Sequence, residues 1–347
     1  MLTSRSRHRL IFLSAALLAG ALAANEAPAQ TASTPYAGKQ IRMVISSGAG
    51  GGIDLYARVL AAHIVDHIPG HPTIVNENMP GAIGMVATNW TYNSAPRDGT
   101  AILAGSNAVL AAPLYGDKTA KFDAHQFASI GSIGTMHNVC ATWYQSPIKT
   151  LDQAKSQTVT VAAAGEGSHS ATLPLVLNDM LGTKFKVVFG YSTGEMRLAL
   201  ERGEADGICG LAWSTLKVSN PEWVKDNRLN VLVQTGDDIQ PELPNAPLLK
   251  NLISDQRNKD ILELVDFPQK IGRPFVMPPG TPQADVEVIR SAFDATMRDP
   301  AFLADAAKAG LEVDPVSGLD MEKILADAYG ASPELIKASA PYSGFGP

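Results

Sequence analysis

The stretch Ile45-Ser-Ser-Gly-Ala-Gly-Gly-Gly-Ile-Asp54 (ISSGAGGGID) joins a short apolar run to an amphipathic one. Before it, IRMVIS (Ile41–Ser46) has the length and composition of a buried strand. After it, DLYARVLAAHIVDHI repeats Leu55, Val59, Ala62 and Val65 at helical spacing, with Asp54 placed as N-cap. Glycine this dense between strand and helix bares N–H groups at a helix N-terminus, where an anion or a carbonyl is favoured. Two phosphate-binding loops share that placement, and neither fits. A P-loop needs Lys and Ser/Thr after its last glycine, where Ile53-Asp54 stand, and the dinucleotide fingerprint needs glycine at position 53. The tract therefore reads as a backbone site for a ligand other than a nucleotide, with a tight structural turn as the alternative.

Working outward, the same alternation continues. TIVNEN leads into the turn Met79-Pro80-Gly81 and a helical run to about Asn93; the turn Arg97-Asp98-Gly99 precedes the strand TAILAG (Thr100–Gly105). This order predicts a parallel sheet with right-handed crossovers. A second unit follows. CATWY, TVTVAAAG, KFKVVFGY, ADGICGLA and NVLVQT read as strands, and Thr150 with Gln153 makes a capping box for a short helix. Residues 236–257 read as a Pro-rich loop. RPFVMPP (Arg273–Pro279) reads as a strand, Thr281-Pro282 as an N-cap and N1 pair, LEVDPV as a last strand and Ser317 as the start of a last helix. SIGSIGTMH (Ser129–His137) and IGRPFVMPP (Ile271–Pro279) flank the second unit, which predicts an insertion joined by two crossing strands acting as a hinge. The expected architecture is α/β, two units in sequence with the second inserted into the first.

The N-terminus carries Arg5, Arg7 and Arg9, an apolar run Leu10–Ala24 and a small-residue site Ala27-Pro28-Ala29. The run is shorter than the roughly 20 residues of a membrane span. Residues 1–29 thus read as a secretory signal peptide, cleaved near Ala29, which predicts an exported protein. Its removal leaves 25 basic against 33 acidic residues and moves the net charge from −6 to −8. An acidic surface argues against nucleic acid as a partner. Export permits a disulfide between the two cysteines, Cys140 and Cys209, although two buried free thiols are the simpler reading of their apolar surroundings.

Further loops follow strands. Asn78-Met-Pro80-Gly81-Ala-Ile-Gly84 should reach the same sheet edge as the first tract. Ala164-Gly-Glu-Gly-Ser168-His169-Ser170 admits an enzymatic alternative with Ser168 as nucleophile and His169 as base. Adjacent residues at a helix start point in different directions, however, and the elbow GxSxG is absent. Tyr191-Ser192-Thr193-Gly194 supplies hydroxyls and N–H groups, and Trp213 could supply an apolar wall. His63 and His67 stand four apart on one helix without a carboxylate in metal-ligand spacing and are expected to face solvent. No metal or other cofactor is expected.

Taken together, GGGID after a strand, Pro69-Gly70, Asn78-Met-Pro-Gly-Ala-Ile-Gly84, Pro96-Arg-Asp-Gly99, Ala-Gly-Glu-Gly-Ser168 and Glu201-Arg-Gly-Glu-Ala-Asp-Gly207 resemble, in order and spacing, the periplasmic solute-binding receptors of tripartite tricarboxylate transporters, the TctC or Bug family. The resemblance covers about residues 38 to 335. It implies a Venus-flytrap periplasmic-binding-protein fold, with residues 36–137 plus 271–347 as one domain and residues 138–270 as the other. It also implies a monomer, not an enzyme, that captures a small organic carboxylate (a di- or tricarboxylate, an aromatic acid or an amino acid) and delivers it to membrane permease subunits. A ligand sensor for a signalling partner is a further alternative. Carried onto this chain, one jaw comprises Ser46, Ser47, Gly48, Gly50, Gly51 and Asp54 with Pro80, Gly81 and Gly84. The other comprises Gly165, Gly167, Ser168 and His169 with Tyr191, Ser192 and Thr193, and Trp213 beside them. The chain departs from the usual pattern in three places: Ser46-Ser-Gly-Ala49 replaces Pro-Phe-Pro-Pro, Ala171 replaces a histidine, and Tyr191-Ser-Thr-Gly replaces Tyr-Lys-Gly. Ligand selection is expected to depend on Ser46 and Ser47 first.

Overall fold

The computed structural model describes residues 35–166 and 168–346, and of Thr193 the backbone alone. The expected signal peptide, residues 1–29, and Gly167 lie outside the described residues.

The first tract folds as its pattern dictates. Strand β1 (Gln40–Ile45) runs through the glycine loop into helix α1 (Gly52–Ile64). Strand β2 (Thr73–Asn78), helix α2 (Met85–Ser94) and strand β3 (Ala101–Ala104) follow. β1 pairs in parallel with both β2 and β3. Strand β4 (Ala128–Ser132) then leads across to β5 (Asn138–Trp143). The second unit continues with α3 (Leu151–Ser156), β6 (Val159–Ala162), α4 (His169–Leu181), β7 (Phe185–Val188) and α5 (Thr193–Glu201). It ends with β8 (Gly207–Ala212), α6 (Trp213–Ser219), α7 (Pro221–Lys225), β9 (Leu229–Gln234), α8 (Leu249–Leu252) and α9 (Gln256–Lys270). The chain returns as β10 (Pro274–Met277), α10 (Gln283–Thr296), α11 (Pro300–Lys308), β11 (Val316–Ser317), α12 (Gly318–Tyr329) and α13 (Pro333–Ser343).

Two sheets result, ordered β11-β4-β10-β3-β1-β2 and β7-β6-β8-β5-β9. The chain passes between them after Ser132 and again after Lys270. Side-chain alternation explains why both faces of each sheet are covered. Ile41, Met43 and Ile45 of β1 enter one core with Ile102 and Phe275, while Val44 enters the core on the opposite face with Leu103 and Val276. In the second sheet, Val159 and Val161 face one core and Ala162 the other.

Several local readings are corrected. Gly51, not Asp54, occupies the N-cap position of α1. Pro282, not Thr281, precedes α10; the Thr281 hydroxyl donates instead to the Pro278 carbonyl at 2.8 Å. The expected strand LEVDPV shrinks to Val316–Ser317, because Pro315 offers no N–H to a ladder. The loop read across 236–257 contains α8 and runs into α9, a helix the sequence reading passed over. His63 and His67 do not face solvent but meet Asp305 at 3.1 Å and Asp299 at 2.9 Å, tying α1 to the α11 region. Cys140 and Cys209 are register partners on β5 and β8 and are joined as a disulfide, replacing the expectation of free thiols.

Helices α9 and α13 belong to neither sheet alone. Leu264 and Phe267 of α9 pack into a core of the first sheet, and Leu262 and Val265 into a core of the second. Ile336 and Ala340 of α13 face the first, Ala338 and Tyr342 the second.

Candidate functional site

Three loops meet at the C-terminal edge of the first sheet. The Ser46 N–H donates to the Ala104 carbonyl at 3.1 Å, the Met79 N–H to Ile45 at 2.8 Å, and the Gly105 N–H to Pro274 at 3.0 Å. A Cβ on Gly84 would lie 3.0 Å from the Ser106 Cβ and 3.1 Å from the Ser46 Cβ, with φ at +105°. Only glycine fits that junction. Gly48 and Gly52 are glycine for a different reason. A side chain there would meet nothing within 4 Å, so these residues leave backbone uncovered instead of relieving crowding. The N–H groups of Gly52 and Ile53, at the start of the 13-residue α1, find no acceptor among the described residues. They carry the positive end of the helix dipole. Ser46 is 3 % exposed and its hydroxyl has no partner.

Asp54 shapes this edge from within. Its carboxylate accepts from the Gly50 N–H at 2.8 Å, Arg58 Nε at 2.9 Å and Asn78 Nδ2 at 2.8 Å. Asn78 Nδ2 also donates to the Ser47 carbonyl at 2.9 Å. Burial alone would raise the Asp54 pKa, but the hydrogen bonds outweigh it and hold the group at about 2. Both carboxylate oxygens are engaged, so Asp54 organises the loop and does not face outward from it. In the second loop, Gly81, Ala82, Ile83 and Gly84 have φ of +139°, +45°, +52° and +105°. A β-branched residue in the left-handed region is strained, and Ile83 is 74 % exposed at this edge.

The second sheet offers a similar edge. The Gly190 and Tyr191 N–H groups donate to the Ala164 and Ala163 carbonyls, both at 3.2 Å, which joins the loop after β6 to the loop after β7. Helices α4 and α5 both begin there. Ser192 caps α5 in a reciprocal box with Glu195. The Ser168 hydroxyl donates to Gly165 O at 2.7 Å and lies 2.8 Å from Ser170 Oγ. It makes no hydrogen bond to His169 among the described residues, so the nucleophile–base pair is not formed. His169 turns away into a cavity of about 50 Å³ with Tyr115, Gln269 and Tyr342. Its Nε2 is buried without a partner, and burial lowers its pKa to about 4. Trp213 is 4 % exposed, packs with Val139 and Met196, and donates its indole N–H to Glu242 at 3.2 Å. It is core and provides no open wall. No hydrogen bond links the first-sheet loops at 46–54 and 80–84 to the second-sheet loops at 165–168 and 191–192 among the described residues.

Sequence reasoning missed two neighbours of the site. Asn107, in the loop after β3, donates to the Pro268 carbonyl at 2.8 Å and so ties the first edge to α9. Its position after a third parallel strand was the available signal. Arg273 begins the returning strand at the same edge. Among the described residues no group of three or more His, Cys, Asp or Glu is placed to hold a metal ion, and no helix is long and apolar enough to cross a membrane.

A family model described as the tripartite tricarboxylate transporter family receptor matches residues 56–340. A UPF0065 protein of Bordetella bronchiseptica is 24 % identical over 295 residues, covering 82 % of this chain and 81 % of that one. A TctC solute-binding protein from Polaromonas, solved without ligand, superposes with a TM-score of 0.67 at 20 % identity, covering 86 % of this chain and 98 % of that one. An R. palustris protein solved with adipate superposes with a TM-score of 0.63 at 18 % identity, covering 87 % and 97 %. The fold is thus the two-domain periplasmic-binding-protein type.

Proposed function

Since this chain belongs to the tripartite tricarboxylate transporter receptor family, we propose that it captures a small organic carboxylate between its two sheets in the periplasm and hands it to membrane permease subunits. The observation that carries the reading is the first-sheet edge. There a glycine loop leaves the α1 N–H groups of Gly52 and Ile53 without acceptors among the described residues. The adipate seen in the R. palustris relative supports an acid as cargo.

In this reading Ser46, Ser47, Gly48, Gly51, Pro80, Gly81 and Gly84 form one jaw, with Gly50 and Asp54 fixing its shape. Gly165, Ser168, Tyr191, Ser192 and the backbone of Thr193 form the other. Residues 36–137 plus 271–347 and residues 138–270 move as two bodies about the crossings near 133–137 and 271–273, while α9 and α13 form a spine shared by both. A charge-assisted hydrogen bond nets roughly 1.5–3 kcal/mol and a helix N-terminus adds about 0.3–1. Three or four such contacts, less the cost of closure, reach the ~8 kcal/mol of micromolar binding. Backbone dipoles hold an anion without a permanent counter-charge in the loops, which suits a carrier that must release its cargo.

The test is a thermal-shift screen followed by calorimetry against di- and tricarboxylates, aromatic acids, amino acids and neutral sugars. A carboxylate should raise the melting temperature and bind with micromolar affinity. Stabilisation by neutral sugars alone would remove the carboxylate assignment.

A further inference from the structure

Of the ten arginines among the described residues, five pair with acids and three are exposed. Arg197 and Arg273 alone are half-buried with no acid in ion-pair distance among the described residues. Arg197 lies at the second sheet, its guanidinium folded back toward Gly194. Arg273 stands at the first-sheet edge, in line with the site.

That line is set by the backbone. The Arg273 N–H donates to Ser132 Oγ at 2.9 Å. The next carbonyl, Pro274, accepts from Gly105, and the carbonyl before Gly105, Ala104, accepts from Ser46. Arg273, Gly105 and Ser46 therefore succeed one another across three strands, about 10 Å from first to last at ordinary strand spacing. The Arg273 guanidinium is held 4.9 Å above the Tyr56 ring, one turn into α1, with Nη1 3.5 Å from the Met136 sulfur. Ring and sulfur position the cation but supply no anionic acceptor for its five N–H donors. A bidentate carboxylate is the partner its fork geometry fits. Gly52 and Ile53 stand four and three residues before Tyr56 on α1, so their free N–H groups lie about one helical turn from the ring beneath the guanidinium.

Building on the carboxylate-receptor reading above, we propose that Arg273 receives one carboxylate of the cargo as a bidentate pair. The α1 N–H groups of Gly52 and Ile53 take a second acidic group one helical turn before Tyr56. The site then selects a short-chain dicarboxylate over a monocarboxylate with an apolar tail.

The experiment titrates succinate, malate, glutarate and adipate, each beside its monoamide, into wild type, R273Q and R273K by calorimetry, with melting curves of the unliganded proteins as the folding control. Wild type should prefer the diacid to its monoamide. R273Q should lose about 10- to 100-fold in diacid affinity, the range of one charged hydrogen-bonded pair, and lose most of the acid-over-amide preference. R273K, which keeps the charge without the fork, should lose less. Unchanged diacid affinity in R273Q, or in R273K should R273Q not fold, overturns the assignment of Arg273 and leaves the receptor reading intact. An equal loss for diacid and monoamide marks a structural role and also overturns it. Wild type that binds none of these diacids but does bind another carboxylate overturns the dicarboxylate inference alone. Wild type that binds no carboxylate of any kind overturns both.

Discussion

The backbone N–H of Gly50 donates to the carboxylate of Asp54 across 2.8 Å, so the glycine loop is closed by a residue of the helix it introduces. Arg58 and Asn78 donate to the same carboxylate. D54N should destabilise the protein by about 1.5–3 kcal/mol, the size of hydrogen bonds to a charged group. The pH dependence follows from a folded pKa of about 2 against an ordinary value of 3.8. The stabilisation is complete above the ordinary value and disappears as pH falls through the folded one. Urea melts of wild type and D54N should therefore differ at pH 7 and converge near pH 2. A constant offset would show that the charge is not the source.

Ile83 tests whether the second loop is strained. Its φ of +52° suits glycine, and at 74 % exposure it contributes little burial. I83G should relieve about 1–3 kcal/mol of backbone strain and give back roughly 0.5–1 through the greater freedom of the unfolded chain. A net gain in stability is expected, while I83V should give none. If I83G melts lower than I83V, the side chain's contacts matter more than its backbone.

Most strand–loop–helix units were legible because the signals are local: β-branched runs, glycine at strand ends, and the Thr150–Gln153 box that the structure forms. The meeting of the Ser46 and Gly84 loops at one edge follows from their places after strands, but the part played by Ser106 does not, because it depends on which strands lie side by side. The sequence places all three after strands but does not give the order β3-β1-β2. Helix α9 escaped for a related reason. Its buried positions 261, 262, 264 and 265 serve two cores, so no single apolar stripe stands out, and Pro268 interrupts the end. The pattern places Asp54 as an N-cap and jaw residue, whereas Asn78 and Arg58, 24 and 4 residues away, draw it inward. Arg273 carried no motif at all. Its interest comes from the lack of an acid beside it, which only the folded chain reveals.

Lys217 of α6 pairs with Glu312 at 2.6 Å and with Glu242 at 2.8 Å, the first bond joining α6 to the segment between α11 and β11. Tyr56 of α1 donates to the Glu312 carbonyl at 3.1 Å, so the contact reaches the helix that begins at the site. These side chains are part-exposed, and such a pair contributes about 0.2–1 kcal/mol. K217A should leave the melting temperature nearly unchanged but shift the balance between open and closed forms. Small-angle scattering should show a changed radius of gyration for unliganded K217A, and added salt should move wild type in the same direction. Identical scattering profiles would make the pair incidental.

His169 gives the last expectation. Burial holds its folded pKa at about 4, against an ordinary 6.5. Between those values the unfolded chain binds a proton that the native state refuses. Stability from this group is therefore full above pH 6.5 and falls as pH drops toward 4, by up to about 3 kcal/mol at 1.36 kcal/mol per unit. Asp266 of α9 works the other way. Burial raises its pKa to about 7, so its contribution is full below the ordinary carboxylate range and is lost as pH rises through 7. The two slopes oppose each other in wild type, and only a variant separates them. H169Q should remove the acid-side loss, so that its stability relative to wild type rises from pH 7 to pH 4. A parallel pair of curves over that interval would mean that His169 reaches solvent and takes up its proton in the folded state.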